Sequence, residues 1–175
     1  MRVVAGELGG RRLVAPRGAA VRPTAERVRE ALFSILGNIE GASVLDLFCG
    51  TGALGIEAVS RGAGSAEMVD TRPQAARRNV EALGLEARCT VVRCDALRYL
   101  RDCRERFELV FCDPPYKLAD RLGPELESLV PPLLTSGGRL IIESATRRSP
   151  EIDLPLVVER RYGDTVIRIY ESASR

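Results

Sequence analysis

From Ser43 onward the chain alternates short apolar runs with amphipathic stretches of helical length, and this alternation constrains the fold more than any other feature. Strands are predicted at Val44–Leu47, Ala66–Asp70, Cys89–Arg93, Leu109–Cys112 and Arg139–Glu143. Between them the spacing predicts helices over Ala53–Arg61, Pro73–Leu83, Ala96–Arg101 and Ala119–Leu129. Strands separated by helices of this size pair in parallel, with helices on both faces of the sheet. Leu156–Arg161 and Thr165–Glu171 flank Tyr162-Gly163-Asp164, a turn signal. The expected ending is therefore an antiparallel hairpin that closes a mostly parallel sheet, seven-stranded in all.

The first forty residues follow a different pattern. Arg2–Ala5 and Arg11–Ala15 read as β-like runs joined through Glu7-Leu8-Gly9-Gly10 into a hairpin. Pro16-Arg17-Gly18 interrupts it, and a helix is expected after Thr24, with Thr24 as its N-cap and Pro23 just outside. Val28, Ala31, Leu32, Ile35 and Leu36 form its apolar stripe, with Arg22, Arg27 and Arg29 near its start and away from most of that stripe. This divides the chain into a basic N-terminal extension, 1–22, projecting beyond the sheet, and a main α/β domain, 23–175. Residues 1–30 carry seven arginines against three glutamates, in a chain whose net charge is only +2. The asymmetry suggests an anionic partner held at one end by Arg2, Arg11, Arg12, Arg22 and Arg27. A solvated arginine-rich surface is the bland alternative.

Composition removes several classes of chemistry. The chain has no histidine, which excludes an imidazole base and a Ser-His-Asp triad. Five cysteines without a C-x-x-C pair argue for free thiols in a reducing compartment rather than a metal site, and no metal is expected. No apolar run is long enough to span a membrane, so a cytoplasmic chain without a membrane partner is the expectation.

Val44-Leu45-Asp46-Leu47-Phe48-Cys49-Gly50-Thr51-Gly52-Ala53-Leu54-Gly55 runs from a strand through a glycine turn into a helix. Such a turn lets backbone approach a ligand closely, and the helix start offers free N–H groups. Gly50-x-Gly52-x-x-Gly55 alone is a weak signal that also fits a dinucleotide site. Asp70 ends the next strand, at the distance where an acid grips a ribose. Asp46 stands where a carboxylate can act on a cationic aminoacyl group, and Asp95-Ala96 follows the third strand, where an acid can accept from an adenine amine.

Leu109–Cys112 ends in Asp113-Pro114-Pro115-Tyr116. Two prolines stop the strand at its carboxyl end, where open α/β sheets bind ligands. A carboxylate, a rigid Pro114 carbonyl and an aromatic ring are expected to converge there. The set suits an exocyclic base amine, a poor nucleophile whose N–H groups need acceptors as positive charge grows on nitrogen. Tyr116 would stack on an unstacked base.

The ordered set Asp46, Gly50–Gly52, Asp70 and Asp95 resembles the Rossmann-like class I methyltransferases dependent on S-adenosylmethionine. That resemblance implies that Asp46 with Phe48, Cys49, Gly50, Thr51 and Gly52 holds the methionine part. Asp70 would hold the ribose, and Asp95 with Ala96 the adenine. Asp113-Pro114-Pro115-Tyr116 resembles the (D/N)-P-P-(Y/F) signature of amine-directed nucleic-acid methyltransferases, which serves guanine N2 and adenine N6 alike. Arg2-Val3-Val4-Ala5-Gly6, Gly10-Arg11-Arg12-Leu13 and Arg22-Pro23-Thr24-x-x-Arg27-Val28-Arg29-Glu30 resemble the RsmD family. So do Gly52–Ala63 and Tyr162-Gly163-Asp164-Thr165, and the likeness covers nearly the whole chain. It implies an enzyme that makes N2-methylguanine at position 966 of 16S rRNA in an assembling small ribosomal subunit, and the small size of the chain makes a monomer the expectation. Cys49 departs from the alanine more usual there, and position 116 is Tyr rather than Phe. Adenine-N6 methylation remains the alternative. A nicotinamide-dependent oxidoreductase would leave Asp113–Tyr116 without a role, and a non-catalytic RNA-binding module would leave both motifs idle.

Overall fold

The computed structural model describes residues 1–15, 23–145 and 152–173. The elements run α1 (Pro23–Leu36), β1 (Ser43–Leu47), α2 (Ala53–Ser60), β2 (Ser65–Asp70), α3 (Gln74–Leu83), β3 (Cys89–Arg93), α4 (Ala96–Asp102), β4 (Phe107–Cys112), α5 (Tyr116–Leu129), β5 (Leu134–Ala145), β6 (Leu156–Tyr162) and β7 (Thr165–Glu171). The seven strands form one sheet in the order β3-β2-β1-β4-β5-β7-β6. Pairing is parallel from β3 to β5, and β7 pairs antiparallel with both β5 and β6. The Rossmann-like expectation, hairpin included, is met.

Period-two alternation divides each central strand between two cores. Val44, Leu109, Phe111 and Ile141 face a layer that includes Val28, Leu32 and Phe33 of α1 and Ile56, Ala58 and Val59 of α2. Leu45, Leu47, Val110, Cys112, Leu140 and Ile142 face the layer of Leu100 from α4 and Leu122 and Leu126 from α5. Strand order reverses between β1 and β4, so a crevice opens at their carboxyl ends. Asp46 is the penultimate residue of β1, and Asp113 follows the last residue of β4. The topology thus brings two motifs, far apart in sequence, to one crevice.

Three expectations need correction. The helix α1 begins at Pro23, so Thr24 lies inside it rather than capping it. Proline suits a first helical position because its fixed φ is already helical and its missing N–H has no intrahelical partner there. The helix α5 starts at Tyr116, directly after the prolines, instead of at Ala119.

The third concerns the N-terminal arm, which does not project. It makes a single antiparallel bridge, Arg2 with Arg12, and seats Val3 and Leu13 in the first core. A fully buried Glu57 of α2 accepts from the Val4 and Ala5 amides at 2.7 and 3.0 Å. Ser60 donates to the Ala5 carbonyl at 2.6 Å and accepts from the Leu8 amide at 3.0 Å. The two runs pair as the expected hairpin through the Val3 amide to Arg11, the Gly10 amide to Val3 and the Leu13 amide to Met1, while α2 satisfies the Val4, Ala5, Glu7 and Leu8 amides.

Candidate active site

The glycine loop turns through three positive-φ residues, Phe48 (59°), Gly50 (55°) and Gly52 (75°). A left-handed phenylalanine is strained, and such strain gathers at ligand sites. Gly52 must be glycine for a second reason: an added Cβ would lie 2.8 Å from the Met68 sulfur. At Gly55 a Cβ would meet Met68 Cγ at 2.9 Å and Asp46 Oδ2 at 3.3 Å. The missing side chain lets the Gly55 amide donate to Asp46 Oδ2 at 3.0 Å, which anchors the strand end to the first turn of α2.

Two cavities adjoin this loop. The larger, about 450 Å³, is lined by Phe48, Val69, Asp70, Thr71, Cys94, Asp95, Ala96, Asp113, Pro114 and Pro115. The smaller, about 210 Å³, is lined by Met1, Arg29, Asp46, Phe48, Cys49, Gly50, Thr51, Ala53, Leu54, Asp113 and Glu143. Phe48 and Asp113 belong to both, so the cavities meet at the strained loop residue and the carboxylate after β4. The structure therefore gathers Asp46, Phe48, Cys49, Gly50, Thr51, Asp70, Asp95, Ala96, Asp113, Pro114 and Pro115 around one crevice. Gly52 stands beside it at the start of α2. The side chain of Tyr116 lies outside the described residues, as does Arg22.

The carboxylates differ in their surroundings. Asp70 accepts from the Gly50 amide at 2.9 Å and the Arg72 amide at 2.7 Å, tying the loop to β2. Asp95 is exposed and caps α4, accepting from the Arg98 amide at 3.0 Å. Asp46 is buried, and its pKa is pushed up to about 7 by that burial, against the Gly55 hydrogen bond and with repulsion from Asp70. Asp113 opens onto the cavities, yet the surrounding chain desolvates its carboxyl and raises its pKa. Glu143 and Asp46 add like-charge repulsion. Burial also raises the Glu143 pKa, which the Arg29 guanidinium opposes. The Cys49 thiol is likewise held protonated by burial and nearby acids.

Such a site fits a ligand with hydroxyl and amine donors at one end and a cation at the other. Asp70 and Asp95 present acceptors along the larger cavity. Asp46 presents a carboxyl along the smaller one, which Asp113 and Glu143 also line.

The family described as conserved hypothetical protein 95 matches residues 1–171. The chain is 36% identical to the "Putative rRNA methyltransferase YlbH" of Bacillus subtilis, over 98% of each chain. It is 37% identical to ribosomal RNA small subunit methyltransferase D of Escherichia coli over 67% of this chain, a stretch spanning 61% of that protein. A solved structure, "Putative methyltransferase yhhF from Escherichia coli", is 30% identical and superimposes with a TM-score of 0.85 over 100% of this chain and 99% of that one. The chain belongs to the RsmD family.

In this RsmD-family chain, several site residues escape the sequence reading. Arg29 is turned inward instead of lying on the polar side of α1: it is 4% exposed, pairs with Glu57 at 3.3 Å and donates to the Arg2 carbonyl. Glu57 also takes Arg61 at 2.8 Å, so two arginines and two amides converge on one carboxylate. Asn79 of α3 exchanges hydrogen bonds with Val14 at 2.7 and 3.0 Å and donates to the Thr51 carbonyl at 2.9 Å, joining the arm to the glycine loop. Met1 and Glu143 join the smaller cavity. Each is a charged or ordinary residue with no local pattern, so tertiary packing is the only signal. Of the basic set, Arg11, Arg12 and Arg27 are exposed. Arg2 is exposed but paired with Glu26 at 3.2 Å, beside Arg27 on a groove of about 540 Å³.

Proposed function

We propose that this RsmD-family chain methylates the exocyclic N2 amine of a guanine in 16S rRNA, at position 966, within an assembling small ribosomal subunit. It is an S-adenosylmethionine-dependent rRNA methyltransferase. The observation that carries the reading is the meeting of Asp113-Pro114-Pro115 with the glycine loop at one crevice. Its relatives' names, which specify ribosomal RNA and the small subunit, support the polymer.

Bound in the joined cavities, S-adenosylmethionine supplies an activated methyl group on a sulfonium. Asp46 and the Gly50–Gly52 loop hold its aminoacyl end, Asp70 its ribose hydroxyls, and Asp95 with Ala96 its adenine. Asp113 and the Pro114 carbonyl each accept an N–H from the target amine. This directs the nitrogen lone pair at the methyl carbon and stabilises the positive charge that develops on nitrogen. Transfer to nitrogen would release the cofactor as a neutral thioether, and Asp113 would pass one amine proton to solvent. Tyr116 stacks on the flipped base. Arg2, Arg11, Arg12, Arg22 and Arg27 hold the RNA backbone, and the enzyme works as a cytoplasmic monomer with residues 1–22 as its RNA-facing extension.

Methyl transfer from labelled S-adenosylmethionine to naked 16S rRNA, isolated small subunits and DNA tests this. Label is expected in the RNA substrates. Transfer to DNA alone would overturn it.

A further inference from the structure

The motif after β4 does not by itself distinguish guanine from adenine, because both offer an exocyclic amine. The neighbouring strand carries a residue that does. The last paired residues of β4 and β5 are Cys112 and Ile142. Continuing that register by one residue sets Asp113 beside Glu143. The residues two before each, Phe111 and Ile141, lie in the same core, so the alternation turns both carboxylates to the α1–α2 side. Both line the smaller cavity, and the Glu143 carboxylate opposes charge on Asp113.

The groups facing this pair can be named. Asp46 comes from β1, Arg29 from α1, and the Met1 end of the arm closes the remaining side. Arg29 is already bound to Glu57 and to the Arg2 carbonyl. Among the described residues, the Glu143 carboxylate makes no hydrogen bond. The wall beside the target amine thus holds two adjacent acceptors in need of donors.

Guanine presents such donors side by side: the N2 amine and, next to it on the ring, N1–H. Adenine presents its N6 amine beside N1, which is a bare acceptor. A carboxylate facing N1 gains a hydrogen bond from guanine. It meets lone-pair repulsion from adenine, with a desolvated charge left unpaired. We propose that Glu143 is the specificity-determining residue of the base site, reading guanine N1–H while Asp113 receives the N2 amine. The inference rests on the guanine-N2 reading and deepens it. Two N–H donors placed against the pair also relieve the repulsion between Asp113 and Glu143, so the base binds where the empty site is least comfortable.

The test uses a small-subunit rRNA fragment prepared with guanine, 2,6-diaminopurine or adenine at the target position. The probe 2,6-diaminopurine keeps the N2 amine and lacks N1–H. Wild type should methylate guanine at least about 100-fold faster than 2,6-diaminopurine, since a site built around a substrate N–H rejects an analogue that lacks it. Glu143→Gln can donate to a bare N1, so it should narrow that ratio by about 10-fold or more, mainly by losing rate on guanine, with unchanged S-adenosylmethionine affinity by calorimetry. Glu143→Ala should also narrow it. Equal wild-type rates on guanine and 2,6-diaminopurine would overturn the role of Glu143 while leaving the guanine-N2 reading intact. Methylation of adenine with guanine untouched would overturn the reading itself. A Glu143→Gln variant that loses cofactor affinity but keeps the base preference would assign Glu143 to the cofactor's ammonium group, against the proposal.

Discussion

The two halves of the crevice are built in opposite ways. In the larger cavity, Asp70 and Asp95 sit at the open ends of successive βα units, each tied to nearby backbone amides. In the smaller one, Asp46, Asp113 and Glu143 crowd together beneath the N-terminal arm, with burial opposing the charge of all three and repulsion from its neighbours added at Asp113. The first half is a set of local loop features. The second exists only because three strands, two helices and an N-terminal arm converge. The first suits recognition of a neutral nucleoside, and the second suits stabilising positive charge.

The largest effect should come from the support of the second half. Glu57 gathers Arg29, Arg61 and two arm amides in a fully buried position. Glu57→Ala leaves those donors without a partner, so urea denaturation should show a loss of about 3–5 kcal/mol. Wild-type stability in that variant would mean that the arm is held by its apolar contacts alone.

Chemistry should separate from cofactor binding next. Asp113→Ala should lower turnover by about 10²–10³-fold, the range for removing one acceptor or donor at a developing charge, while calorimetric affinity for S-adenosylmethionine holds. Asp70→Ala should do the reverse, weakening the cofactor by about 1–3 kcal/mol. Similar losses of affinity in both variants would erase the distinction between the two cavities.

The raised pKa of Asp46 makes a prediction about stability. Its carboxyl is shifted from 3.8 to about 7, so the folded chain holds a proton that the unfolded chain releases between those values. Stability of the cofactor-free protein should therefore fall as pH rises from about 4, with Asp46 contributing up to about 7 and the raised carboxyls of Asp113 and Glu143 adding falls of the same sign. Asp46→Asn should remove the Asp46 share of that fall, on the order of a few kcal/mol, and add nothing near pH 4. A wild-type profile that is flat over this range would show that Asp46 is solvated.

The smallest effect belongs to the exposed surface. Arg11→Ala with Arg12→Ala should reduce the salt dependence of RNA binding by a log–log slope of about 1–2 and leave cofactor affinity unchanged. Identical slopes would make these arginines a solvated face.

The contrast also explains what was legible in the sequence. Asp46, Asp70, Asp95 and the glycine loop announce themselves through spacing within βα units, and Pro114-Pro115 marks the end of β4. Arg29 and Glu143 carry no such mark. A charge set beside an apolar stripe reads as surface until a buried partner is known, and Glu143 gains meaning only when β4 and β5 pair. The arm misleads for a related reason. Its two runs do pair as a hairpin, but Val3 and Leu13 enter the core and Glu57 and Ser60 bind its backbone, so it lies on the domain instead of projecting. Extension of α5 back to Tyr116 follows from Pro115 standing extended at its N-cap, a conformation the sequence alone leaves open.

Product identity tests the central claim most directly. Small subunits that lack the modification would be incubated with the enzyme and labelled S-adenosylmethionine, digested to nucleosides and resolved by mass spectrometry. The account predicts label in N2-methylguanosine, abolished by Asp113→Ala. Label in N6-methyladenosine instead would contradict it.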